Sequence, residues 1–65
     1  MSHGNCLKIG LIKRGETQAS LADAVNAKPQ QVNRWANSEH FTKPVMEKVL
    51  HFLGMVESEF IALGE

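Results

Sequence analysis

The sequence predicts an all-α domain of five short helices, and three observations carry that expectation. Apolar residues recur three and four positions apart rather than at every second position, the period of a helix with one buried face. Gly15, Asn26, Pro29, Pro44 and Gly54 fall between those apolar patterns, where helices stop and start. The stretches left between the helical patterns are only a few residues long, as in compact helical domains.

The first helix is expected from about Asn5 to Arg14, with Asn5 as its cap and Gly15 as its stop, while Gly10 lowers the helix propensity of its middle. The opening "MSHGN" is set aside from this argument. Thr17 caps the second helix, "QASLADAV", whose apolar face is Leu21, Ala22 and Val25. Asn26 follows where a helix needs a left-handed terminating residue, a conformation asparagine tolerates better than most side chains. The third helix starts at Pro29, a favoured first-turn residue because its missing donor would be orphaned there anyway. At 100° per residue, Val32, Trp35 and Ala36 fall on one side, and Gln30, Asn33, Arg34 and Asn37 on the other. A loop, "SEHFTK", leads to Pro44 and a fourth helix, "VMEKVLHFL", expected to bury Val45, Val49, Phe52 and Leu53 and to end at Gly54. The last, from about Glu57 to Leu63, offers Phe60, Ile61 and Leu63.

Residues 1–65 read as one domain. A chain this size buries only roughly 60% of the surface its unfolded form exposes, so a deep pocket beside a complete core is not expected, nor is a cofactor or small-molecule ligand. Hydrophobic residues make up 43% and charged residues 22%, an ordinary globular balance. No apolar run nears the ~20 residues of a membrane span, and no secretory signal is visible. The single Cys6 cannot form an internal disulfide. These features place the protein in the cytoplasm. Net charge is zero, but unevenly spread: residues 1–48 hold all seven Lys and Arg and four of the seven acids, net +3, whereas residues 49–65 hold Glu57, Glu59 and Glu65, net −3. A basic front and an acidic tail point to a polyanion on the front.

With Gln18 as the first position of a two-helix unit, the small Ala22 comes fifth, Asn26 ninth, Val32 fifteenth and Trp35 eighteenth. A helix-turn-helix over residues 18–37 needs that series. The fifth residue must be small where the second helix crosses, the ninth must turn, and the last two anchor the exposed helix. Leu21, Val25 and Ala27 fill the core positions between. A short αα-hairpin of any kind would satisfy about half of these requirements.

On these residues, "TQASLADAVNAKPQQVNRWANS" resembles the helix-turn-helix of the phage Cro and repressor family of DNA-binding proteins. Thr17, Gln18, Leu21, Ala22, Val32, Trp35 and Asn37 match that family's pattern, while Asn26 stands where it usually has Gly, Ala36 where it has Glu, and Lys28 where it has a Ser or Thr cap. The resemblance spans about residues 15–56. "VNRW" and "VLHFLGMVESEF" are also similar to short phage activators of lysogeny genes. The resemblance implies a lambda-repressor-like fold and a third helix that enters the DNA major groove.

Amides and guanidinium pair bidentately with base edges, Gln or Asn with adenine and Arg with guanine. By matched position, Pro29, Gln30 and Asn33 lie nearest the bases, flanked by Gln31 and Arg34. Gln18, with the free N–H groups of its helix, is expected on a phosphate, and Lys28, Asn37, Lys43 and Arg14 on the backbone. Gln31 equally suits the closing of a capping box. Trp35 belongs to the core by its side of the helix, Cys6 packs as a small hydrophobe, and His3, His40 and His51 lack the spacing of metal ligands. Ser20 and Asp23 are helix-surface positions three apart, not a nucleophile and its relay, so no enzyme is expected.

The function these readings favour is a sequence-specific transcriptional regulator on double-stranded DNA. It is expected to be a Cro-like repressor that binds a pseudo-palindromic operator as a homodimer, since one small module makes few base contacts. The dimer surface is expected at Phe41, which lies in a polar loop with no core position to claim it, and at Met55, Val56, Phe60 and Ile61. The rival reading is a protein-binding module, an antitoxin or adaptor, working through the C-terminal helices.

Overall fold

The computed structural model describes residues 2–64; Met1 of the opening segment and Glu65 of the acidic tail lie outside the described residues. Five helices follow in order: α1 (His3–Arg14), α2 (Gln18–Ala24), α3 (Pro29–Ala36), α4 (Lys43–Leu53) and α5 (Glu57–Ala62). Among the described residues there is no strand, and no helix is long and apolar enough to cross a membrane.

The start of α1 departs from expectation. The helix begins at His3 rather than Asn5, and the cap is Ser2, whose hydroxyl accepts the Asn5 N–H at 3.1 Å. The reason lies in the segment after α3. His3 N–H donates to the Glu39 carbonyl and Gly4 N–H to the Ser38 carbonyl, both at 2.9 Å, and Cys6 N–H donates to Ser2. The N–H groups of the first turn, orphaned in a free helix, are thus paired. Gly4 permits the approach, because a Cβ there would lie 2.3 Å from the Ala36 carbonyl oxygen. Ser2, His3 and Gly4 are part of the fold, not a tail. Gly10 has a similar use: a Cβ there would meet the Leu53 and Leu63 methyls at 2.8 and 3.2 Å, so its cost in helix propensity accompanies close packing of α1 on α4 and the C-terminal residues.

The core draws Cys6, Leu7 and Leu11 from α1, Leu21 and Ala22 from α2, Val32, Trp35 and Ala36 from α3, and Phe60 from α5. From α4 it takes Met46, Val49 and Leu53, three and four apart, while Val45 and Phe52, expected inside, are only half-buried. α1 runs through the middle, touching α3, α4 and α5. The radius of gyration, 10.2 Å, is close to the roughly 11 Å of a tightly folded chain this long, so the described residues are closely packed.

Two aromatic expectations are overturned. Phe60, expected at a dimer surface, is fully buried at 0% exposure: the short α5 lies against α1, and its one large aromatic is the piece that fills the core there. Phe41, expected to stand exposed in its loop, is half-buried; its ring centroid is 5.3 Å from His3 and 6.0 Å from Phe60. It packs against the core from the loop because α1 begins early enough to place His3 beside it.

Candidate nucleic-acid interface

The α2–α3 pair is built by local chemistry at its ends. Thr17 Oγ1 accepts the Ser20 N–H and Ser20 Oγ accepts the Thr17 N–H, each at 3.0 Å, a reciprocal box that fixes the start of α2. Ser20 is thereby a capping residue. Asn26 turns the chain at φ 58°, and Ala27 N–H closes back on the Ala22 carbonyl at 2.8 Å. Pro29 then opens α3, whose cap position, Lys28, makes no side-chain bond to the helix.

α3 divides as its spacing requires. Val32, Trp35 (8% exposed) and Ala36 are buried, and Gln30, Gln31, Asn33, Arg34 and Asn37 are exposed. The exposed residues form two groups. Lys28, Gln30, Gln31 and Arg34 line one open groove, with two cations and no carboxylate among them. Gln31 therefore faces the groove, and no side-chain bond closes the start of α3.

The second group is a run of amides. Asn37 donates its Nδ2 to the Asn33 carbonyl at 2.9 Å and reaches Asn33 Oδ1 at 3.5 Å; Asn33 Nδ2 donates in turn to Gln18 Oε1 at 3.4 Å. These bonds hold Asn33 from both sides and leave one amide proton on Asn33 and both on Gln18 for an outside acceptor. Gln18 and Asn33 are thereby joined, a link across fifteen residues that no short motif announces. At the start of α2, the Gln18 and Ala19 N–H groups lack helix partners, as first-turn donors do. Glu16, whose Oε1 is 3.0 Å from Ser20 Oγ, brings a carboxylate to that end, which opposes an anion there.

Arg14 and Lys43 fall outside both groups. Arg14 is exposed in the last turn of α1. Lys43, at the start of α4, lines a different depression with His3, Phe41, Met46, Glu47 and Glu57. Of the residues expected at a dimer surface, Val56 is 61% exposed and Met55 and Ile61 are half-buried. Met55 and Val56 border a shallow depression with Leu50, Gly54 and Glu59.

Cys6 is buried, with its sulfur 3.8 Å from the Ile61 carbonyl. Among the described residues, no three of His, Cys, Asp or Glu gather as metal ligands would. No protein-family model, curated protein or solved structure matches the chain.

Proposed function

We propose that this chain is a sequence-specific DNA-binding regulator of transcription that uses α2–α3 as a helix-turn-helix, with α3 in the major groove. The observation that carries the reading is the exposed face of α3. After the exposed Pro29 it is a set of amides and a guanidinium, with no acid, on a helix whose other face is anchored by Val32, Trp35 and Ala36. Such a face suits base edges, which are read by bidentate amide and guanidinium pairs. Gln30 and Asn33 read bases; Gln31 and Arg34 flank them; Lys28 and Gln18 meet phosphates, Gln18 while bracing Asn33.

The reading takes the chain to act as a homodimer, and its size is in keeping with that. The longest extent of the molecule, 27 Å, is less than the roughly 34 Å between successive turns of one major groove face, so two recognition helices on one face of DNA require two copies. A Cro-like repressor controlled by its own concentration is the form of regulator this module fits. The test is selection from random duplexes: an enriched two-fold symmetric sequence is expected, and no enrichment over input refutes the reading. A protein-binding adaptor is the second reading, favoured by exposed Val56 beside Glu57 and Glu59. An adaptor shows no retention on heparin.

A further inference from the structure

The loop between α3 and α4 is held from the start of α1, by Gly4 at Ser38 and by His3 at two points. Besides its backbone bond to Glu39, His3 accepts the Phe41 N–H on its Nδ1 at 2.8 Å, and its ring packs against Phe41 and, edge-on, against His40 at 5.3 Å. An imidazole nitrogen accepts only when unprotonated, so this bond requires a neutral ring with its proton on Nε2. Protonation puts a second donor in front of the Phe41 N–H. The ring also faces other charged groups. Lys43 and Glu47 of α4 and Glu57 of α5 line the depression beside it, and His40 is its neighbour in the loop.

We propose that His3 is a pH-sensitive latch: neutral, it fixes the Ser38–Thr42 loop that joins α3 to α4; protonated, it releases the Phe41 N–H and loosens that loop. Because the loop leaves the C-terminal end of α3, next to Asn37, the latch bears on one end of the proposed DNA-binding surface. That last consequence rests on the DNA-binding reading; the latch does not.

The experiment measures amide hydrogen exchange at Phe41, expressed as protection relative to an unstructured chain at the same pH, from about pH 8 to about pH 5. It uses the wild-type chain, His3→Asn, His3→Ala and His40→Gln. Asparagine Oδ1 lies about where histidine Nδ1 does and cannot be protonated in this range. Wild type and His40→Gln are expected to lose Phe41 protection by about threefold to tenfold as pH falls, while Val49 in the core keeps its protection. His3→Asn keeps it throughout, and His3→Ala lacks it at both ends. Retained protection in His3→Ala, a flat profile in wild type, or an identical profile in His3→Asn overturns the latch. Duplex affinity of wild type and His3→Asn over the same range tests the coupling: a fall in wild type alone supports it, and equal profiles refute it. If neither binds DNA at any pH, the DNA-binding reading fails, and Phe41 exchange still decides the latch.

Discussion

Replacing Gly4 with alanine is expected to destabilise the protein, although the same change in a helix ordinarily stabilises by about 0.5–1 kcal/mol. The alanine Cβ would lie 2.3 Å from the Ala36 carbonyl oxygen, 2.7 Å from its carbon and 2.8 Å from the Ser38 oxygen. All three atoms are backbone, so no rotamer change relieves them; α1 must withdraw from the end of α3. Overpacking of this kind costs about 1–3 kcal/mol. Withdrawal also stretches the bonds from His3 and Gly4 to Glu39 and Ser38, each worth about 0.5–1.5 kcal/mol. The expected loss is about 2–5 kcal/mol, against a total of about 3–10 kcal/mol for a 65-residue domain. Gly10→Ala is the comparison, because there the nearest atoms are Leu53 and Leu63 methyls that can move, and the loss should not exceed about 2 kcal/mol. Urea unfolding followed by circular dichroism measures both. A Gly4→Ala variant as stable as wild type, with an unchanged denaturant slope, would refute the close approach of α1 to α3.

The bond from Asn33 to Gln18 makes their alanine substitutions non-additive on DNA: a double-mutant cycle should give a coupling of about 0.5–1.5 kcal/mol, and strict additivity would show that the two act separately. Lys43→Ala should lower the slope of log affinity against log salt by about one unit on preferred and scrambled duplexes alike; an unchanged slope assigns Lys43 to its depression with Glu47 and Glu57 alone. At the C-terminal surface, Val56→Asp should leave thermal stability within about 0.5 kcal/mol but abolish the dimer in sedimentation, whereas Phe60→Ala should cost about 3–5 kcal/mol of folding stability. A Val56→Asp chain that still dimerises moves the interface elsewhere.

The parts of the fold legible in the sequence were those set by local rules. Thr17 caps, Asn26 turns with positive φ, Pro29 starts α3, and Val32, Trp35 and Ala36 fall inside because 100° per residue puts them on one side. What escaped was set by contacts distant in sequence. Nothing near Ser2–Gly4 shows that Ser38 and Glu39 will supply carbonyls to the first turn of α1, and so Asn5 looked like a cap. Phe41 sits in a polar run and looked unclaimed until His3 came beside it; Phe60 looked available because a six-residue helix gives too few turns to define its buried side. Gly10 carried a readable signal, since a glycine inside a helix pattern often marks a close approach. On α3, composition and period sufficed to identify the exposed polar face, but not the amide run from Gln18 through Asn33 to Asn37, which depends on how α2 crosses α3.

The most direct test of the central claim compares Gln30→Ala and Asn33→Ala with wild type on the selected duplex, its single-base substitutions and a scrambled duplex, with folding checked by circular dichroism. Both side chains are exposed on α3, so neither change should disturb the core. Each is expected to cost about 1–3 kcal/mol on the selected duplex, with the loss confined to one or two base positions and little change on scrambled DNA. Folded variants that bind with the same base preference as wild type would contradict the assignment of α3 as the reader of sequence.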